Sequence, residues 1–314
     1  MWLSPNQLCI TFALQYYDKA VISQAAIFGF RRDLDLETDL KYSWATLIFY
    51  FGHMVGMYPS SLLAQRYRPR RVCISLTILW SLIVLTTPAC SAYSHILANR
   101  FFLGLVESGV SPIFMLVVGL WYTKAEHSVR SAWWYSFSGG SLLVSPVINF
   151  GLAHINSGPL APWQYMFIVA GLITFVWGIA LIWIFPDTPE EARGWSAEDK
   201  KLLLERIARD NAGSENRSFE PSQVLEALID YQFWALVVMA LLANTGAATL
   251  STFASIVFAG MGFSLYESLL LNMPFAVMAF SCVLGAGWLA STRVGRLYTC
   301  CICCLPVILG CCLL

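Results

Sequence analysis

Four ionisable side chains lie inside apolar stretches of the sequence. Asp18 and Lys19 share one stretch, and Arg100 and Glu107 share another. A charge at the centre of a bilayer costs about 2.5–3.5 kcal/mol on insertion scales, so such residues pair, line an aqueous cavity or function. An arginine fork binds a carboxylate, and a desolvated carboxyl group can take up a proton near neutral pH. The four residues therefore favour combined binding of an anion and a proton.

Helix geometry places Arg100 and Glu107 on one face, because seven residues turn about 700° and rise about 10 Å. If the two stretches meet at a central cavity, two cations and two carboxylates share it. We then expect Asp18 and Glu107 to couple protons, and Lys19 and Arg100 to bind substrate. Asn244 is a further candidate for substrate binding, since its segment is rich in small and polar residues, as a cavity wall would be.

A purely structural interpretation of these charges stays open. Lys19 would then only neutralise Asp18. Arg100 would extend to the membrane interface, as long cationic side chains do near helix ends. Glu107 would hydrogen-bond a backbone group.

The composition indicates lipid as the surrounding solvent. Hydrophobic residues make up 58% of the chain and charged residues 12%, and the mean hydropathy is +0.64. A soluble domain is nearer half apolar and a quarter charged. The net charge is zero, which gives no indication of nucleic-acid binding.

Apolar runs of about 20 residues, the length that crosses a bilayer as helix, recur along the chain. They do not alternate as barrel strands do, and helices satisfy every backbone amide in lipid. The sequence therefore predicts an all-α, polytopic membrane bundle with about nine spans. The nine runs are Leu8–Phe30, Tyr42–Ala64, Val72–Ala92, Ile96–Tyr122, Ser131–Ala153, Trp163–Phe185, Phe233–Ala259, Tyr266–Ala290 and Leu297–Leu314.

A polar segment, 187–231, divides a predicted six-helix bundle, 1–186, from a partial three-helix bundle, 232–314. Within it, Ser196–Asp210 has the spacing of an amphipathic helix, with Ser196 as its cap. Lys and Arg concentrate in this segment and in the turns after the second, fourth and eighth runs. The amino terminus and the polar segment are therefore predicted to be cytoplasmic. In the second run, Gly52 and Gly56 are spaced for close helix packing.

The sequence gives little indication of metal or catalytic chemistry. Six cysteines lie in the last run without a nearby His or carboxylate, and we interpret them as small apolar residues. Metal ions and cofactors are therefore not expected. The chain has no H-E-x-x-H, G-x-S-x-G or phosphate-loop motif, so we do not expect an enzyme.

Four stretches carry a family resemblance. They read YYDKAVISQAAIFGFRRDL, SWATLIFYFGHMVGMYPSSLLAQR, NRFFLGLVESGVSPIFMLVVGLWYTKAEHSVRSAWWYSFSG and FPDTPEEARGWSAEDKKLLLERIARDNAGSENRSFEPSQVLEALID. In them the chain resembles the major facilitator superfamily and, within it, the fungal allantoate permease branch of the anion:cation symporters. The resemblance implies two six-helix bundles around a midplane cavity and an alternating-access cycle.

The resemblance also implies roles for particular residues. An acid–base pair in the first span and an Arg–Glu pair in the fourth are associated with proton coupling and anion binding, and these positions are Asp18, Lys19, Arg100 and Glu107. The superfamily's loop motif after the second span, GxLADRxGRR, corresponds to SLLAQRYRPRR, where Arg66 is a candidate gating contact. Family members move organic anions such as allantoate, nicotinate and pantothenate.

The leading prediction is a monomeric, multi-pass membrane protein that imports a small organic anion with a proton. The plasma membrane is favoured over an organelle membrane. An exporter of a secondary metabolite is the alternative within transport. A truncated membrane protein that does not transport is the other alternative, because nine spans fall three short of the family's twelve and the last run has no polar tail.

Overall fold

The computed structural model describes residues 3–38, 40–155, 158–185, 196–209, 221–292 and 294–313. Within these ranges every regular element is helical. A π-helical turn, Ala26–Phe30, joins α1 to α2, and a 3-10 turn, Thr87–Ala89, follows α4. The helices are α1 (Leu3–Ala25), α2 (Arg31–Asp33), α3 (Lys41–Arg66), α4 (Pro69–Thr86), α5 (Tyr93–Glu107), α6 (Val110–Trp121), α7 (His127–Ala153), α8 (Pro162–Ile184), α9 (Ala197–Arg209), α10 (Pro221–Ile229), α11 (Tyr231–Gly260), α12 (Leu265–Leu270), α13 (Asn272–Ser291) and α14 (Gly295–Leu313).

A helix or helix pair lies on each of the nine predicted runs, which confirms the all-α membrane bundle. Five helical segments of the described residues are long and apolar enough to cross a bilayer by length and composition; they are Pro69–Ala89, Tyr93–Trp121, His127–Ala153, Pro162–Ile184 and Leu265–Ser291. The first run is more polar because α1 buries side chains such as Thr11, Gln15 and Asp18 inside the protein. Its polarity therefore reflects the interior of the bundle, where these side chains are shielded from lipid.

Three glycines let α3 and α5 approach each other at backbone distance. A Cβ on Gly52 would lie 2.1 Å from the carbonyl oxygen of Phe101, and one on Gly104 would lie 2.0 Å from that of Phe49. Gly56 meets the same helix, because its Cβ would lie 2.2 Å from a backbone oxygen of α5. The predicted close packing at Gly52 and Gly56 is confirmed.

Helix α1 packs against α7 and α8, and buried hydrogen bonds fix its rotation. The Gln24 amide donates to the Ser145 hydroxyl at 2.9 Å, and the Tyr17 hydroxyl donates to the Asn149 side-chain oxygen at 3.1 Å. Because these bonds hold one face of α1 on α7, the neighbouring side chains of α1 point towards the other helices.

Two predicted spans are interrupted. The first span ends in the π-helical turn, where Gly29 has a φ of +100°, a conformation that favours glycine.

The fourth span divides into α5 and α6 directly after Glu107, at Ser108 and Gly109. A Cβ on Gly109 would lie 2.7 Å from the Cβ of Ser60, so the absence of a side chain at Gly109 lets α3 approach there.

The predicted amphipathic helix is α9. The Ser196 hydroxyl donates to the Asp199 carboxylate at 2.8 Å and accepts from the Asp199 amide at 3.1 Å, which confirms the cap. Arg206 of α9 pairs with Glu126, which lies in the turn between α6 and α7. The distance between Arg206 Nη2 and Glu126 Oε1 is 3.1 Å. Burial alone would raise the pKa of Glu126, but hydrogen bonds from Thr123 and the Arg206 charge hold that pKa below its ordinary value.

Parts of the predicted polar segment lie outside the described residues, namely 187–195 and 210–220. The predicted sidedness and the two predicted domain boundaries stay predictions.

Candidate functional site

A cavity of about 340 Å³ lies between the first half of the bundle, α1–α8, and the second half, α11–α14. Its wall combines aromatic rings with charged side chains and includes one helix face from each of α1, α3, α5, α7, α11 and α13. Its lining includes Tyr16, Asp18, Lys19, Ile22, Thr46, Phe49, Tyr50, Arg100, Leu103, Glu107, Tyr135, Ser138, Asn244, Phe275, Ala279 and Val283. Five of the six residues predicted to form the site therefore share one cavity.

Asp18 lies on α1 and is held by neutral donors. The Trp80 indole on α4 donates to Asp18 Oδ2 at 2.5 Å, and the Thr174 hydroxyl on α8 donates to the same oxygen at 3.5 Å. Trp80 and Thr174 are completely buried. Asp18 Oδ1 has no hydrogen-bond partner among the described residues. The side chain can therefore exchange a proton at Oδ1 without losing either donor.

Lys19 forms an ion pair with Glu107 on α5, with 3.0 Å between Nζ and Oε1. The ammonium group also lies 4.9 Å from the ring centroid of Tyr16 and 5.7 Å from that of Phe49. The Glu107 side chain is completely buried, whereas that of Lys19 is 26% exposed. The ion pair therefore joins two helices, whereas the sequence suggested one charge pair within each helix.

Arg100 lies two turns before Glu107 on α5 and is 3% exposed. Its guanidinium carbon lies 5.2 Å from the ring centroid of Phe167. Its Nε and Nη2 make no hydrogen bond to any residue that the structure describes. Stacking on an aromatic ring steadies a guanidinium group without using its donors, so these donors remain free to bind an anion.

Of the two remaining predicted site residues, Asn244 lies in the cavity wall and Arg66 lies outside it. Asn244 lines the cavity from α11, and its Nδ2 donates to the Ala240 carbonyl oxygen at 2.8 Å. Its side-chain oxygen is consequently the group that could face a ligand. Arg66 lies exposed at the end of α3 and is not part of the cavity wall, so its gating role stays a prediction.

Several residues of the site were missed by the sequence analysis. Trp80 and Thr174 lie in apolar runs that gave no sign of contacting Asp18. One available signal was the indole itself, because a buried Trp N–H usually needs an acceptor. Tyr16, Tyr50 and Tyr135 give the cavity its aromatic wall.

The described cysteines are consistent with apolar packing. Cys300, Cys301, Cys303 and Cys304 are free and exposed on α14, and the side chains of Cys311 and Cys312 lie outside the described residues. Among the described residues, no three or more His, Cys, Asp or Glu side chains are grouped as a metal site would require.

Comparison with known proteins gives the family. The model of the Major Facilitator Superfamily matches residues 8–314. An uncharacterized transporter of Schizosaccharomyces pombe is 34% identical over 89% of this chain and 52% of the relative. The allantoate permease of Saccharomyces cerevisiae is 30% identical over 85% of this chain and 50% of the relative.

A solved structure shows the same fold. The partially occluded, inward-open xylose transporter from E. coli matches 92% of this chain and 72% of its own, with a TM-score of 0.66 and 14% identity. This chain spans about half the length of the curated relatives it matches.

Proposed function

The chain belongs to the Major Facilitator Superfamily of transporters, and we propose that it carries a small organic anion across a membrane together with a proton. The observation that carries the proposal is the arrangement of charge in the cavity between the two halves. An ion pair, Lys19–Glu107, lies on the same wall as Arg100, whose free donors face no described acceptor.

A coupled cycle follows from this arrangement. With no anion bound, Lys19 neutralises Glu107. A proton that binds to the Glu107 carboxylate makes it neutral and releases the Lys19 ammonium group. Lys19 and Arg100 then both face the cavity as cations and bind the carboxylate of the substrate. When the anion leaves, Lys19 returns to Glu107, and the proton departs because the carboxylate is again stabilised by a cation.

Asp18 provides a second proton site in the same proposal. Neutral donors hold its Oδ2, so protonation at Oδ1 changes the charge of the cavity without breaking an ion pair. Asn244 approaches from the second half and contributes an oxygen to a polar group of the substrate. Because the two halves meet around the anion, rocking one half against the other would expose the site alternately to each side.

The cavity supports a small substrate. Ligand pockets generally measure about 300–1,000 Å³, and this one is at the lower end. Tyr and Phe rings form much of its wall, so we propose a compact anion of the size of allantoate, nicotinate or pantothenate. The name of the permease relative supports allantoate as the first anion to test.

The proposal includes a monomer in the plasma membrane. An importer of external nutrients would work in the plasma membrane. The gating role of Arg66 also belongs to this proposal, because its exposed position at the end of α3 lets it contact loops that move during the cycle.

Uptake by proteoliposomes tests the proposal. Labelled allantoate, nicotinate and pantothenate are supplied with and without an inward proton gradient, and we expect the gradient to drive accumulation of at least one anion. Glu107→Gln should abolish this accumulation but leave part of the anion exchange. Glu198→Gln, on the exposed face of α9, is the matched control and should transport normally. Equal accumulation with and without the proton gradient would refute proton coupling.

A further inference from the structure

Arg31 lies beyond one end of the cavity, against Tyr42 of α3. Its guanidinium carbon is 5.7 Å from the ring centroid of Tyr42, which is 5% exposed. Thr46, one turn further along α3, lines the cavity. The Tyr42 hydroxyl also lies within electrostatic range of both Arg31 and Arg100. Tyr42 therefore interacts with two guanidinium groups, that of Arg100 in the cavity wall and that of Arg31, which is not among the lining residues.

The ring of Tyr42 also contacts the second half of the bundle. It packs edge-on against Phe253 of α11, with 5.8 Å between the ring centroids. This contact crosses between the two halves of the protein. A movement of one half against the other would separate the two rings and open a path between Arg31 and the cavity.

The acidic residues next to Arg31 have other partners. The Asp33 carboxylate accepts a hydrogen bond from the Trp163 indole at 2.8 Å, and the Asp35 carboxylate pairs with Lys41 at 2.6 Å. Arg31 Nε is buried and has no hydrogen-bond partner among the described residues. Two nearby carboxylates thus accept from other donors, and neither of them pairs with Arg31 Nε.

We propose that Arg31, supported by the ring of Tyr42, forms an outer site that receives the carboxylate of an anion before Arg100 binds it. The inference rests on the proposed function and adds a second binding step to it. A guanidinium edge binds a carboxylate through two parallel N–H donors, and the aromatic ring holds the guanidinium plane in place. The outer site raises the local concentration of anions where the path to the cavity opens.

Association kinetics of allantoate test the outer site. The full chain is placed in lipid nanodiscs, and binding is followed by stopped-flow tryptophan fluorescence. Arg31→Gln should slow association about fivefold or more and weaken its salt dependence, since a peripheral charge acts mainly on the association rate. Arg31→Lys keeps the charge without the fork, so its rate should lie between those of Arg31→Gln and the unmodified chain.

Arg32→Gln is the matched control, because Arg32 carries the same charge one residue later but its side chain is 82% exposed. We expect its association rate to stay within about twofold of that of the unmodified chain. Salt screens a single exposed charge, which therefore attracts an anion only weakly. If Arg31→Gln and Arg32→Gln had equal association rates while the unmodified chain bound normally, the outer site would be refuted. The proposed function would then still stand. If the unmodified chain bound none of the three anions, the proposed function would fail and the outer site with it.

Discussion

The Lys19 ammonium group lies 3.0 Å from the Glu107 carboxylate, so an ion pair connects α1 with α5 across the cavity wall. Adjacent positions on a helix point in different directions, about 100° apart, which lets Lys19 face α5 while Asp18 faces α4 and α8. Each carboxylate of the site consequently has its own partners. Glu107 is neutralised by a cation, and Asp18 is held by two neutral donors.

Lys19→Met should destabilise the protein because it leaves the buried Glu107 carboxylate without a cation. Breaking one partner of a buried pair costs about 3–5 kcal/mol in the free energy of unfolding. Lys19→Met combined with Glu107→Gln should recover most of that loss, since no unpaired charge remains. Thermal unfolding in detergent compares the two variants. A single variant as stable as the double variant would show that the unpaired Glu107 carboxylate costs no stability.

Trp80→Phe should weaken the support of Asp18. The substitution keeps an aromatic ring but removes the donor to Oδ2, and leaving a buried acceptor without its hydrogen bond costs about 1–3 kcal/mol. In an Asp18→Ala background the cost should shrink, because the acceptor is absent. Trp177→Phe is the control, since the Trp177 indole donates to the neutral Thr11 hydroxyl at 2.9 Å. Equal costs for Trp80→Phe in both backgrounds would contradict the coupling.

Gly104→Ala should separate α3 from α5. Its Cβ would lie 2.0 Å from the Phe49 carbonyl oxygen, and a backbone atom cannot move aside as a flexible side chain does. Overpacking of this kind costs about 1–3 kcal/mol. Gly119→Ala is the matched control on α6, where a Cβ meets no atom of the described residues within 4 Å. We expect it to be neutral or stabilising in the same unfolding measurement. If both variants unfolded alike, the close approach would not limit stability.

Much of the fold could be predicted from the sequence because lipid imposes simple rules. A helix that crosses a bilayer must be long and apolar, so runs such as Trp163–Phe185 were recognised directly. Ionisable residues inside such runs indicate a functional site for the same reason, because lipid disfavours them. Asp18, Lys19, Arg100 and Glu107 violate the rule, and all four line one cavity.

The detailed contacts of the site could not be predicted, since they depend on how each helix is rotated against its neighbours. The order Asp18–Lys19 suggests a local pair, whereas the structure pairs Lys19 with Glu107. Trp80 looks like any other aromatic residue in an apolar run until α4 is placed beside α1. The close approach of α3 and α4 to Gly109, just after the division of the fourth run, likewise depends on how those helices are placed.

Acid should loosen α9 from the rest of the protein. The pKa of Glu126 is lowered in the folded state, so its ion pair with Arg206 is fully present above the ordinary value of 4.5 and is lost as the pH falls through the lowered value. The pair is partly exposed, so we expect an effect of about 0–1 kcal/mol. Hydrogen-exchange protection factors of α9 should therefore fall up to about fivefold between pH 7 and about pH 3. Glu126→Gln should remove this pH dependence, whereas Glu198→Gln, which changes an exposed carboxylate of α9, should keep it. Protection in Glu126→Gln that still fell with acid would mean that another carboxylate controls the docking of α9.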